Sequence, residues 1–148
     1  MTNHEKISLL KLQTFTPTDF EQYRAGSEGV RHSLSAAVIA CLFLPKGWVV
    51  GCEFHQEWGG MYPVHLRLAI QSAPTIKIEI ISPSHDSPYW YGRLWFEAGE
   101  SVAWFYSGDV FEPDAIRASL GVLDEYIGAG YNDADALAVA LRMGGHVV

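Results

Sequence analysis

The sequence predicts an α+β protein in which five or six antiparallel strands form a meander-like sheet, with helices from both ends of the chain packed on it. Three observations lead to this fold class. Strand-like segments follow one another over residues 48–106, turn-like segments separate them, and helix signals stand before and after them. Of the 148 residues, 49% are hydrophobic and 18% charged, so the chain can bury a core and one domain over 1–148 is expected.

The first helix is expected to run from Pro17 to about Ala25. Thr16 offers a capping hydroxyl, Pro17 suits the first helical position, and Gly26 can end the helix. Residues 30–44 follow, and their first part suits a helix as well.

The end of this segment, Val38–Leu44, has the β-branched and apolar character of a buried strand. As a strand it would form a hairpin through the turn at 45–47, with Gly47 in the left-handed conformation and Cys41 opposite Gly51. Cys41 and Cys52 would then point to opposite faces of the sheet, and no disulfide is expected.

Strands are predicted over five later segments: Trp48–Glu57, Tyr62–Ile70, Thr75–Ile81, Tyr89–Glu97 and Ser101–Tyr106. The third of them alternates. Ile76, Ile78 and Ile80 should face the core, whereas Lys77 and Glu79 should face the other side.

Two helices are predicted after the strands. Pro113 can begin the first, which carries an apolar stripe and ends near Gly128; the stripe consists of Ile116, Leu120, Leu123 and Ile127. Asn132 can cap the second, with Asp135 in its first turn and Gly144 at its end.

A polar group on the first two of these strands is a candidate site for a small molecule or for acid–base chemistry. Alternation and pairing place His55 opposite His65 and Glu53 opposite Arg67. Two histidines with carboxylates can bind a metal or exchange protons. The simpler interpretation is a solvent-facing polar strip with one ion pair, so neither a metal nor a cofactor is expected.

The last two strands carry many aromatic residues. A two-residue loop would place Trp95 opposite Trp104 and Arg93 opposite Tyr106, with Leu94 on the core face. The other face then has a composition typical of binding hot spots: Tyr91, Arg93, Trp95, Trp104 and Tyr106. Its alternative is a second core layer beneath a helix.

The negative charge is concentrated in the last third of the chain. The formal net charge is −7, and residues 1–96 are balanced by eight acids and eight bases, so all of it belongs to 97–148. Five acids there are candidates for steering a basic protein partner, or else serve solubility: Asp109, Glu112, Asp114, Asp124 and Glu125.

The sequence also excludes some classes of function. It contains no nucleophile elbow, Walker-type phosphate loop, H-E-x-x-H or paired C-x-x-C, so no catalytic residue is assigned. Acidity argues against nucleic-acid binding, and the longest apolar run, 36–44, is far shorter than the ~20 residues of a membrane span. Without a secretory signal at its start, the chain is expected in the cytoplasm.

We therefore expect a non-enzymatic, acidic inhibitor of microbial type, such as a toxin-immunity or anti-defence protein, that covers a basic site on another protein. The alternatives are a small-molecule-binding protein or enzyme that uses the polar group, and a subunit of a homo-oligomer, including a homodimer, that associates through the aromatic face.

Overall fold

The structure is a computed structural model that describes residues 7–24, 28–52, 62–84, 87–95 and 102–147. The helices of this part are α1 (Leu9–Thr14), α2 (Pro17–Arg24), α3 (Glu28–Leu42), α4 (Pro113–Gly128) and α5 (Ala134–Met143). The strands are β1 (Trp48–Cys52), β2 (His65–Ile70), β3 (Lys77–Ile81), β4 (Trp90–Trp95) and β5 (Val102–Gly108).

The five strands form one antiparallel sheet in the order β1-β2-β3-β4-β5, which confirms the predicted α+β meander. All five helices contribute side chains to the same hydrophobic core as one face of this sheet. We call that face the inner face, and the opposite one the outer face. Buried members of the core include Leu12, Phe20, Val38, Leu120 and Leu137 from the helices and Leu66, Leu68, Ile78 and Leu94 from the sheet.

The helix predicted from Pro17 is present as α2, and two reciprocal hydrogen bonds between Thr16 and Asp19 cap its start. Asp19 donates its backbone N–H to the Thr16 hydroxyl at 3.2 Å, and the Thr16 backbone N–H donates to the Asp19 carboxylate at 2.7 Å. A short helix, α1, precedes it and was not predicted, since six residues carry little periodic signal.

The strand interpretation of Val38–Leu44 is wrong, because α3 continues to Leu42. Leu34, Val38 and Leu42 are spaced one helical turn apart and are fully buried, so packing on the core outweighs their strand-like composition. The hairpin that would pair Cys41 with Gly51 therefore does not form, and β1 pairs with β2 instead. Cys41 is a free thiol, and Gly47 has the predicted positive φ, 87°.

The predicted register of the β4–β5 hairpin is also wrong, because Arg93 pairs with Trp104 rather than with Tyr106. A β-bulge makes Phe105 an additional residue on β5, and Phe105 and Tyr106 both lie in the core. A Cβ on Gly92 would come within 2.5 Å of the Phe105 ring, so glycine is required there. Alternation of polar and apolar residues does not reveal a bulge. The loop between β4 and β5, whose length helps to set the register, lies outside the described residues.

The two C-terminal helices are present, and the apolar stripe of α4 is buried as predicted. The cap of α5 is one residue later than expected. Asp133, not Asn132, accepts the backbone N–H of Ala136 at 2.9 Å, while Gly144 ends the helix as predicted. Either residue type can cap a helix, so the backbone geometry at 133 decides between them.

Candidate functional site

The outer face carries a buried ion-pair cluster, which we call the Glu79 cluster: His65, Arg67, Glu79 and Arg93. Glu79 is fully buried and accepts a hydrogen bond from Arg93 Nε at 2.7 Å and another from His65 Nε2. Arg67 Nη2 lies 3.8 Å from the same carboxylate. Three strands are therefore joined through one acidic side chain.

The strand register explains why these residues meet. Glu79 pairs with Arg67 on one side and with Arg93 on the other, so the three side chains form a row across β2, β3 and β4. His65 lies two residues before Arg67 and therefore shares its face. The alternation of β3 predicts Glu79 on this face, but it does not predict that the carboxylate is buried.

The electrostatics of the cluster keep the Glu79 carboxylate ionised. Burial raises the pKa of the carboxyl, but the hydrogen bonds from His65 and Arg93 outweigh it and lower the pKa from 4.5 to about 2. A permanently ionised carboxylate between cationic groups is a poor proton donor or acceptor near neutral pH. This arrangement suits a structural link between strands better than acid–base chemistry.

Aromatic rings continue the row beside Arg93. The Arg93 guanidinium lies 5.6 Å from the Trp104 ring centroid, and the Tyr91 and Trp104 rings are 4.9 Å apart. The Ser87 hydroxyl donates to the Tyr91 hydroxyl at 2.9 Å. Tyr91, Arg93 and Trp104 are half-buried, so part of this predicted aromatic face remains accessible.

The structure brings together residues from two separate sequence predictions and separates others. Arg93, from the predicted aromatic face, joins His65 and Arg67, from the predicted polar site. Trp95 pairs with Lys77 and Val102 in the sheet. Tyr106 does not belong to the aromatic face, because the bulge turns it into the core. The predicted pairing of Glu53 with Arg67 is wrong, because an irregularity in β1 after Val50 pairs Arg67 with Cys52 instead. Glu53 and His55 themselves lie outside the described residues.

The five predicted acids are all exposed, and we call them the acidic surface: Asp109, Glu112, Asp114, Asp124 and Glu125. Asp114 forms an ion pair with Arg117, and Asp124 accepts a hydrogen bond from Trp48 Nε1 at 3.1 Å. Burial, together with the charges of Glu112 and Asp109, raises the pKa of the Tyr106 hydroxyl.

The acidic surface and the aromatic residues lie on different sides of the sheet. Four of its acids belong to α4 or its cap, and α4 packs on the inner face. Tyr91, Arg93 and Trp104 lie on the outer face. One flat partner surface cannot contact both groups, which is a consequence of the tertiary structure that the sequence does not reveal.

The described residues contain no group of three or more His, Cys, Asp or Glu side chains that could hold a metal ion. In the same part of the chain, no helix is long and apolar enough to cross a membrane.

The structure is that of an α+β protein with one antiparallel sheet and exposed acids on α4 and before it. Its sequence matches, over residues 6–144, the family described as plasmid SOS inhibition protein (PsiB). The chain belongs to this family. The family is one of inhibitors of a host response, which confirms, at that level, the microbial inhibitor expected from the sequence.

Proposed function

We propose that this chain inhibits the SOS response by binding a protein of that response through the acidic surface and covering a basic site on it. The observation that supports this most directly is the exposure of all five carboxylates on one helix and the loop before it. Asp114 and Asp124 are about 15 Å apart along α4, so the acids extend over a length suited to an interface.

A basic site that handles nucleic acid binds phosphates through lysine and arginine side chains. Exposed carboxylates can occupy such a site in place of phosphates, and their field accelerates the encounter with a basic protein. The same field repels nucleic acid, so the proposed partner is a protein. A partner of this kind works beside the bacterial chromosome, and we propose the cytoplasm as the compartment.

The predicted aromatic contacts whose side chains the structure describes remain in the proposal as a second surface on the outer face: Tyr91, Arg93 and Trp104. The half-buried rings of Tyr91 and Trp104 pack on each other, Trp104 also contacts Arg93, and they resemble the rigid aromatic groups that contribute most at interfaces. Their position opposite to α4 implies a partner that reaches both sides, or two different contacts.

The first test neutralises three members of the acidic surface together, Glu112→Gln, Asp114→Asn and Glu125→Gln, in bacteria that carry an SOS-inducible fluorescent reporter. After DNA damage, the amount of protein needed for half-maximal inhibition should rise by about tenfold, because steering by a charged surface changes association rates by that order. The control is Asp135→Asn, an exposed acid on α5. Equal inhibition by the triple variant and the native protein would refute the role of the acidic surface.

The second test varies ionic strength in a purified system with the target of inhibition. Affinity should fall as salt is raised from about 50 to about 300 mM, because the Debye length shortens from about 14 Å to about 6 Å and exposed charges are screened more strongly. The triple variant should show a weaker salt dependence than the native chain. An affinity that does not respond to salt would contradict the electrostatic part of the proposal.

A further inference from the structure

A cleft of about 510 Å³ lies where α1, the end of α3 and the start of α4 meet. Its apolar lining includes Leu9, Cys41 and Phe43, and Glu112 and Asp114 stand at its acidic side. Leu9 is partly exposed, and Glu112 makes no capping hydrogen bond with its side chain. An apolar floor beside the exposed carboxylates of Glu112 and Asp114, the second of which is paired with Arg117, is thus open to another molecule.

Phe43 is unusual in both its backbone and its exposure. It follows the last residue of α3 and has a φ of 44°; among the described residues no other non-glycine residue has a positive φ. Helices commonly end with glycine in this conformation, because a side chain there is strained. The ring is nevertheless 74% exposed, so the strain is not offset by burial in the core.

The ring of Phe43 makes a cation–π contact at the edge of the cleft. The Arg117 guanidinium lies 5.0 Å from the ring centroid, and Arg117 is in turn paired with Asp114. An aromatic side chain has few rotatable bonds and this contact favours one ring position, so Phe43 loses less conformational entropy on binding than a long flexible side chain, which is a property of interface anchors.

We propose that this cleft is the apolar anchor of the interface, and that it takes a basic segment of the target protein, with an apolar residue seated against Phe43 and Leu9. This inference rests on the proposed function and specifies where the partner docks. The cleft lining carries two acids and one base, Arg117, which pairs with Asp114, so the Glu112 carboxylate favours a segment with lysine or arginine beside its apolar residue. A second copy of this chain is a poor occupant, because the net charge of −7 makes self-association through an acidic edge unfavourable.

The decisive variant is Phe43→Gly, because it removes the ring and also relieves the backbone strain. The melting temperature should stay the same or rise, whereas half-maximal inhibition of the SOS reporter should need about 30-fold more protein, the effect of removing a strong interface anchor. Phe43→Trp should retain inhibition. The matched control is Met143→Ala, which removes an apolar side chain that is 84% exposed and lies outside the cleft.

Photo-crosslinking identifies the occupant. The full chain is expressed with p-benzoylphenylalanine in place of Phe43, or in place of Met143 as a control, in cells with an induced SOS response. The proposal expects one adduct with a host protein from position 43 only, and its loss when Glu112→Lys and Asp114→Lys are added. An adduct of the chain with itself, no adduct, or equal adducts from both positions would overturn it.

The two proposals can fail separately. If Phe43→Gly inhibits normally while the neutralised acidic surface does not, the cleft is not the anchor but the proposed function stands. If both variants inhibit normally, both proposals are wrong. A loss of inhibition by Phe43→Gly that is accompanied by a lower melting temperature would mean that the ring supports the fold, and would also overturn the anchor.

Discussion

Replacement of Glu79 by glutamine tests whether the Glu79 cluster stabilises the sheet. The carboxyl has its pKa lowered from 4.5 to about 2, and one pKa unit corresponds to about 1.4 kcal/mol, so its ionisation contributes about 3 kcal/mol to stability at pH 7. Removal of one partner from a buried ion pair costs a similar amount, ~3–5 kcal/mol. For a chain of this length we expect a melting temperature lower by roughly 6–12 °C.

The pH dependence gives the sharper test. A folded-state pKa below the unfolded value contributes stability that is complete above about pH 5.5 and is lost as the pH falls towards 2. The difference in unfolding free energy between the native chain and Glu79→Gln should therefore shrink over that range, since other acids affect both proteins equally.

Urea unfolding followed by tryptophan fluorescence, at intervals from pH 7 to pH 2.5, measures this difference. Glu125→Gln is the control, because that carboxylate is exposed and should change stability by less than ~0.5 kcal/mol. If Glu79→Gln is as stable as the native chain at pH 7, or if the difference in unfolding free energy is the same at every pH, the cluster does not stabilise the sheet as assigned.

Three further predictions concern local structure, each checked by thermal and urea unfolding. Gly92→Ala should destabilise the protein by ~2 kcal/mol, because its Cβ would overlap the Phe105 ring. The control, Gly121→Ala, lies in open space on α4 and should stabilise the protein by ~0.5–1 kcal/mol. Equal effects of the two substitutions would contradict the bulge. Asp133→Ala should cost ~1 kcal/mol and Asn132→Ala much less, and the reverse order would restore Asn132 as the cap. Trp48→Phe should cost ~1 kcal/mol through loss of the hydrogen bond to Asp124; no change would show that bond to be unimportant.

Local patterns in the sequence were sufficient to predict the elements whose structure depends mainly on their own residues. The capped start of α2 and the buried stripe of α4 follow from residue type and spacing within a few turns. The order of the strands follows from the same kind of information, because short turns between alternating segments favour antiparallel neighbours. The exposure of Asp124 and Glu125 also followed, since both lie off the apolar stripe of α4.

The candidate site depended on contacts between distant segments. Glu79 was predicted to leave the core, yet it is buried because Arg67 and Arg93 approach it from two neighbouring strands. Tyr106 was placed with the aromatic face, but one additional residue on β5 turns it inward. Phe43 was missed, because a positive φ and an exposed ring at the end of a helix leave no mark in the residue pattern.

The sequence by itself determined the fold class and which segments form most of the helices and strands. It also determined that the whole net negative charge lies in residues 97–148. These properties depend on composition and on contacts within a few residues along the chain. Only the tertiary structure decided the register of β4 with β5, the burial of Glu79 and the placement of the acidic and aromatic groups on different sides of the sheet. The physical reason is that a bulge or a cross-strand ion pair depends on residues that meet only after the chain has folded.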